Sequence, residues 1–331
     1  MKRINNLLPQ ITNLDNLYLA FWKASKGKRY AKNVLEYQSN LHENLQILRQ
    51  TIESGKVEVG NYKIFKIFDP KERTIAAPAF EEQVLHHALM NVCHPYFEAY
   101  QIHDSYASRK NKGIYKAIDR AKYYSQKYTC FLKLDIKNFF GSIHHEVLKT
   151  QLKRKFKEEK LLSIFYQIID SFEQQPNRGV PIGNLTSQYF ANHFLGSLDH
   201  FVQRVLRCKA YVRYMDDMVI WSNDKNELKM IRNQIRDFVT QELKGELKPE
   251  LINYSDRGLP FLGYKIFPNK LLLTQRSKQR YIKKLRFIEN QYHEGVWDET
   301  TCQQRILPLL AFINHANTEN FKKSVFLNLK R

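Results

Sequence analysis

Residues 210–221 read AYVRYMDDMVIW, from Ala210 to Trp221. Two runs rich in β-branched and aromatic residues flank Asp216-Asp217, a pattern that predicts a β-hairpin with two acids at its tip. Adjacent carboxylates repel unless a cation lies between them. A solvated turn, where Asp is common, is the plainer explanation of the pair taken alone.

Outward from the hairpin, FLKLDI (Phe131–Ile136) alternates as a strand does: Phe131, Lys133 and Asp135 on one side, Leu132, Leu134 and Ile136 on the other. Asp135 is therefore expected on an exposed face, away from the Leu/Ile side. Three carboxylates converging on a sheet can hold two Mg²⁺ ions roughly 3.5–4 Å apart, with substrate phosphates as remaining ligands. Such a pair would activate a primer 3′-hydroxyl and stabilise leaving pyrophosphate, which is nucleotidyl transfer.

The 331 residues carry 53 Lys+Arg against 33 Asp+Glu, a formal charge of +20, and are 43% hydrophobic and 13% aromatic. That composition builds a core and excludes a disordered basic tail. No run of about 18 uncharged apolar residues exists to span a bilayer, so no membrane partner is expected. Pro9, Asn13 and Asp15 interrupt any signal-peptide core. The four cysteines, Cys93, Cys130, Cys208 and Cys302, form no C-x-x-C pair, and reduced buried thiols in a cytoplasmic protein are expected. A polyanion such as nucleic acid is the partner this charge favours.

Around the two strands the pattern is mixed. Tyr62–Ala77 reads as two short strands about the Asp69-Pro70 turn, and Glu81–Tyr100 as a helix. Ser142 is placed to cap the next helix, and Thr186–Leu206 repeats apolar residues at helical spacing. Phe261–Phe267 (FLGYKIF) reads as one strand with a Gly kink, and a basic helical lobe follows Lys270. His86-His87 and His144-His145 lack metal spacing and suit solvent or capping roles.

These residues resemble the reverse transcriptases, in the family's order of blocks from about Tyr62 to Phe267. Tyr214-Met215-Asp216-Asp217 is similar to the family's catalytic hairpin and Leu134-Asp135-Ile136 to its first metal block. The resemblance implies an α+β right-hand polymerase with an antiparallel palm sheet. Residues 1–270 would be fingers (about 1–130 and 155–180) and palm (about 131–154 and 181–270), and 271–331 a helical basic thumb. It implies catalysis by Asp135, Asp216 and Asp217, with two Mg²⁺ at Asp135, Ile136, Asp216 and Asp217. Phe140 would be the aromatic gate that leaves no room for a ribose 2′-hydroxyl. Lys71 and Arg73 would clamp the triphosphate, Arg109 would meet template or nucleotide, and Phe261-Leu262-Gly263-Tyr264 would form the primer grip. Leu251 falls where relatives carry a Lys, so no general acid is assigned.

Ile182-Gly183-Asn184-Leu185-Thr186-Ser187-Gln188 narrows the resemblance. Many bacterial members have Gln at the position of Ile182 and Pro at that of Gln188. Ile-Gly-x-x-x-Ser-Gln is similar to the enzymes of diversity-generating retroelements, which copy a template-repeat RNA into cDNA with errors opposite adenine. Ile182 cannot hydrogen-bond an incoming dNTP, which weakens a check on pairing, and Gln188 adds an amide near the template base. A small basic helical accessory protein and a bacterial or phage origin are implied. The alternatives are a group II intron, retron or CRISPR-associated reverse transcriptase, or a non-catalytic RNA-binding scaffold of the same fold.

Overall fold

The computed structural model describes residues 3–68 and 72–329. Along the chain come α1 (Leu8–Ile11), α2 (Leu14–Ser25), α3 (Lys32–Ser39), α4 (Leu41–Ser54), β1 (Tyr62–Phe68), β2 (Glu72–Pro78), α5 (Phe80–Tyr100), α6 (Ile114–Lys127), β3 (Cys130–Asp135), α7 (Phe139–Ser142), α8 (His145–Lys155) and α9 (Glu159–Asp170). Then follow α10 (Leu185–His200), β4 (Tyr211–Tyr214), β5 (Asp217–Ser222), α11 (Lys225–Gln241), β6 (Leu251–Tyr254), β7 (Leu259–Phe261), β8 (Tyr264–Ile266), β9 (Leu271–Leu273), α12 (Gln275–His293), α13 (Glu299–Asn314) and α14 (Glu319–Leu329). Among the described residues no helix is long and apolar enough to cross a membrane.

The chain divides into two compact units. One comprises Met1–His103, Ile136–Arg207 and Gln234–Lys248. In it Leu17 and Ala20 of α2 and Val84, Leu85 and Ala88 of α5 are withdrawn from water. An aromatic chain links Phe97, Phe156, Phe165 and Phe190, with successive ring centroids 5.5 Å apart. The β1–β2 hairpin is buried only at its root, at Ala76 and Pro78, and its outer residues are exposed.

The second unit comprises Asp104–Asp135, Cys208–Asn233 and Pro249–Arg331. It holds two sheets, β4-β5-β3-β6 and β7-β8-β9, both antiparallel throughout. One face of the four-stranded sheet, with Phe131, Val212, Val219 and Trp221, packs on Ala117, Ile118, Ala121 and Tyr124 of α6 and joins a core with Phe261, Tyr264 and Leu285. This corrects the expectation of an exposed face: Phe131 is fully buried, and only Lys133 and Asp135, farther along β3, stay partly accessible. Apolar area withdrawn by α6 drives that packing.

Beside β4, the segment 104–106 is held by Arg213 N–H donating to the Asp104 carbonyl and Tyr106 N–H donating to the Arg213 carbonyl, each at 2.9 Å. The buried Asp104 carboxylate accepts from Tyr106 Oη (2.8 Å), Arg120 Nε (3.0 Å) and Tyr124 Oη (3.1 Å). That carboxylate pushes both buried phenols up in pKa, on top of the larger effect of burial.

Several local expectations need correction. Phe261–Phe267 is a hairpin: Phe261 pairs with Tyr264, and Leu262 and Gly263 turn between them with φ +49° and +89°. Two successive positive-φ residues make a primed two-residue turn, which Gly permits and which a kinked strand does not need. Ser142 caps nothing; it ends α7, its hydroxyl donating to the Phe139 carbonyl at 3.0 Å. His86 and His145 are buried rather than solvated, and His145 Nε2 lies 2.7 Å from the Gly179 carbonyl oxygen. Among the described residues none of the four cysteines forms a disulfide, and all are buried.

Asp104→Ala would take the shared acceptor from two phenols and a guanidinium, of which Tyr124 Oη alone keeps another, the Lys209 carbonyl at 3.2 Å. A loss of about 3–5 kcal/mol in urea-unfolding free energy is expected, and a loss under 1 kcal/mol would mean the cluster contributes little.

Candidate active site

The Tyr214–Asp217 pair closes the β4–β5 hairpin, leaving Met215 and Asp216 as its two-residue turn. Asp217 is thus the first residue of β5, not part of the tip as the sequence suggested. Met215 has φ +55°, a conformation that costs a non-glycine residue free energy and that functional turns tolerate when their surroundings enforce it. Part of that enforcement is Arg213, fully buried, whose guanidinium donates to the Met215 carbonyl at 3.1 Å.

Asp217 lies directly opposite Asp135 in the β3–β5 register. Directly opposed residues share a sheet face, so two carboxylates stand side by side with Asp216 next along the chain. Burial pushes the Asp217 carboxyl up to about 7, and Asp135 and Asp216 add to the rise. Lys133 opposes it, with Nζ 3.3 Å from Asp217 Oδ2 and donating to the Pro260 carbonyl at 2.9 Å. The other oxygen, Asp217 Oδ1, is buried with no hydrogen-bond partner. Among the described residues no three His, Cys, Asp or Glu side chains close into a metal-binding group. The two facing acids are still the hard oxygen donors Mg²⁺ takes, since that ion uses one or two carboxylates and fills the rest of its shell with water and phosphate. The orphaned Oδ1 is a place where a cation would satisfy a buried anion.

In the same unit, the Arg109 guanidinium donates to the Ser105 carbonyl at 2.7 Å. Phe261 and Tyr264 are buried, with Tyr264 Oη donating to the Phe312 carbonyl at 2.7 Å. The Gly263 carbonyl between them accepts from Ser277 Oγ at 2.7 Å. The grip expected at Phe261-Leu262-Gly263-Tyr264 is therefore a turn anchored to α12 and α13 by its polar atoms.

The remaining predicted residues lie in the other unit. Phe140 is partly buried, its ring 5.5 Å from that of Phe139, and its carbonyl accepts from Val180 N–H at 2.9 Å. The Ile182 carbonyl accepts from Ala76 N–H of β2 at 3.0 Å. Gly183 has φ +123°, which strains any residue with a Cβ, and a Cβ there would sit a tight 3.0 Å from Ile75 and 3.3 Å from the Ala76 carbonyl oxygen. Phe140, Ile182, Gly183 and the Arg73-bearing hairpin are brought together through these contacts. Arg73 is exposed on β2, and Gln188 is exposed in the first turn of α10. Ile136 is buried and bridges Leu247. Lys71 lies outside the described residues.

Lys133 and Arg213 are site residues beyond those the sequence predicts. Period-two alternation puts Lys133 on the Asp135 face, so its signal was present; Arg213 looks like any strand Arg until its burial is known.

Comparison with known proteins gives a consistent family. A sequence model described as reverse transcriptase (RNA-dependent DNA polymerase) matches residues 68–266. The group II intron-encoded protein LtrA of Lactococcus lactis is 22% identical over 339 residues, covering 80% of this chain and 57% of that protein. The putative COX1/OXI3 intron 2 protein of Saccharomyces cerevisiae is 23% identical, covering 58% of this chain and 30% of its own length. The retron Ec83 reverse transcriptase of Escherichia coli is 26% identical, covering 69% and 75%. The chain thus spans less than two thirds of the intron-encoded relatives. In fold it is similar to apo telomerase from Candida tropicalis, with TM-score 0.51, 13% identity, and coverage of 73% of this chain and 54% of that one.

The raised Asp217 pKa fixes the sign of a pH effect. The unfolded chain releases this proton near pH 3.8 and the folded chain near 7, so the folded state binds more protons in between and loses stability as pH rises. In chelator-containing buffer, Asp217→Asn should remove a loss of up to about 4 kcal/mol between pH 4 and pH 7, read by urea unfolding. Identical pH slopes for the two proteins would show that Asp217 ionises normally.

Proposed function

The chain belongs to the reverse transcriptase family, with a right-hand polymerase fold, and from that premise we propose that it is an RNA-directed DNA polymerase of a diversity-generating retroelement. The observation that carries the catalytic part is the cross-strand Asp135–Asp217 pair beside Asp216, with one buried carboxylate oxygen left without a partner. Asp135, Asp216 and Asp217, with the Ile136 backbone oxygen, would hold the metal ions. The chemistry supplied by two bound Mg²⁺ is activation of the primer 3′-hydroxyl and neutralisation of leaving pyrophosphate.

The chain's own residues do the remainder. Lys133 holds Asp217 against the repulsion of its neighbours. Phe140 excludes a 2′-hydroxyl from the nucleotide pocket, while Lys71 and Arg73 bind the triphosphate, Arg suiting phosphate through its planar fork. Arg109 meets template or nucleotide, and the Leu262-Gly263 turn, anchored by Ser277, bears on the primer end. The bounds of fingers, palm and thumb given above belong to this proposal, as do template-repeat RNA, primer and cDNA, dNTPs and a small basic accessory protein as partners.

The mutagenic assignment rests on Ile182 and Gln188. An aliphatic side chain offers no donor or acceptor to the incoming base or sugar, so a mispair loses little relative to a correct pair. A second reading, an intron-type or retron-type enzyme, is favoured by the similarity to LtrA and the Ec83 protein. Nearby paired repeats that differ at adenine positions in the encoding DNA would favour the first reading, and their absence the second.

Primer extension on an RNA template with Mg²⁺ should fall at least a thousandfold in Asp216→Ala, which forfeits about 4 kcal/mol of transition-state stabilisation. Equal synthesis by the variant and the parent would remove the enzymatic assignment. Sequencing of cDNA from a defined template should show fewer errors opposite adenine in Ile182→Gln, by about tenfold for one restored hydrogen bond; an unchanged error rate counts against the fidelity account.

A further inference from the structure

We propose that a cleft of about 970 Å³ in the first unit, walled by α8, α10 and the C-terminal end of α11, is a second ligand site, one for a nucleoside phosphate. Every residue that lines it belongs to that unit, and none is among those assigned above to metal, nucleotide, template or primer. The site does not rest on the polymerase reading.

Helical spacing builds the walls. Val147, Thr150, Gln151 and Arg154 follow one another at three, one and three along α8 and so share one face. Gln151 joins that face to α10, its Nε2 donating to Ser197 Oγ at 3.1 Å and to the Phe194 carbonyl at 3.3 Å. Past His200, α10 continues as a π-helical turn, Phe201–Val205, closed by Leu206 N–H donating to the Phe201 carbonyl at 3.0 Å. Wider turns of this kind collect at functional sites, and this one brings Phe201 and Arg204 to the cleft. Tyr100, the last residue of α5, completes the lining. Gly196 lets its ring lie against α10, since a Cβ there would collide with it, and His200 Nε2 lies 3.0 Å from its carbonyl oxygen.

Two kinds of group meet in this lining. Arg154, Arg204 and Lys244 are exposed there and carry no ion pair with an acid among the described residues. Burial raises the Tyr100 phenol in pKa and Asp199 adds to the rise, while Arg204 and Arg154 both oppose it. Two guanidinium groups from different walls are thus within electrostatic reach of one hydroxyl. Of the acids in the lining, Glu146 pairs with Lys149 at 3.0 Å and Glu242 is exposed just past α11, which leaves the cations in excess. The second kind is aromatic. Phe201 and Phe238, both half-buried, stack with ring centroids 4.5 Å apart and planes 22° apart.

A guanidinium fork takes phosphate oxygens two at a time, so two of them near a phenol hydroxyl suit a phosphate group. The phenylalanine pair offers a flat apolar layer on which a base can stack. Phe201 and Arg204 are one helical turn apart, close enough for one ligand to use both. An inorganic anion would leave the rings unused. The volume is that of a small-molecule pocket and is far larger than a bare phosphate requires.

The test measures ADP and pyrophosphate binding to the whole protein by equilibrium dialysis in chelator-containing buffer, which deprives the acid pair of metal. Wild type should hold ADP about tenfold more tightly than pyrophosphate, the difference being the stacked base. Arg154→Gln/Arg204→Gln should weaken both ligands at least about tenfold through lost charged hydrogen bonds, with the urea-unfolding midpoint unchanged because both side chains are exposed. Phe238→Leu should weaken ADP about tenfold and leave pyrophosphate as it was. Arg73→Ala, in the other nucleotide pocket, should leave ADP binding intact. No ADP binding by wild type, equal ADP binding by the arginine variant, equal wild-type affinity for ADP and pyrophosphate, or a Phe238→Leu effect that is absent or the same for both ligands would each overturn the proposal. So would loss of ADP binding in Arg73→Ala. Displacement of ADP by oligoadenylate that is held more tightly, and is released by the same arginine variant, would give the cleft to a strand instead and overturn it as well.

Discussion

Two carboxylates placed opposite each other across an antiparallel strand pair repel, and the second unit is organised around tolerating that repulsion. Asp135 and Asp217 hold this position, with Asp216 adjacent. Like charges in directly opposed positions destabilise a sheet, and partial burial strengthens the effect because the local dielectric is low. Lys133 from the same face offsets part of it, and protonation near neutrality offsets more. A sheet selected for stability alone would place a Thr or Val at one of these positions.

The same unit holds other polar groups at a cost that packing must offset. Arg213 is fully buried beneath the hairpin and Asp104 gathers three donors. Removing one member of such a cluster leaves its partners desolvated, so each restrains the others. The outcome is a hairpin held rigidly enough to keep Met215 at φ +55°. Strain of this kind persists only where the surroundings over-determine it. In the other unit the fit is steric: Gly183 lets the chain before α10 dock on β2, which sets Ile182 beside the hairpin carrying Arg73.

Elements whose pattern is strictly local were legible. The 62–68 and 72–78 strands, α5, β3, the β4–β5 hairpin and the helices after Lys270 follow from alternation, helical spacing and turn residues. The failures share a cause. FLGYKIF predicts one strand with a Gly kink, yet Leu262 is left-handed and the Gly263 carbonyl accepts from Ser277 Oγ, a contact outside the segment. Ser142 carried a cap signal that its own back-bond to Phe139 cancelled.

By itself the sequence determined the strand that carries Asp135, the hairpin that carries Asp216 and Asp217, the alternation that puts Lys133 on the Asp135 face, and a charge suited to a polyanion. These depend on neighbours within a few residues, or on composition alone. Only the tertiary structure decided that Asp217 faces Asp135, that Lys133 pairs with it and that Arg213 is buried. Strand register and side-chain burial arise from contacts between segments some 80 to 130 residues apart, and no local propensity encodes which of many possible pairings excludes the most water while leaving the fewest polar groups unmet.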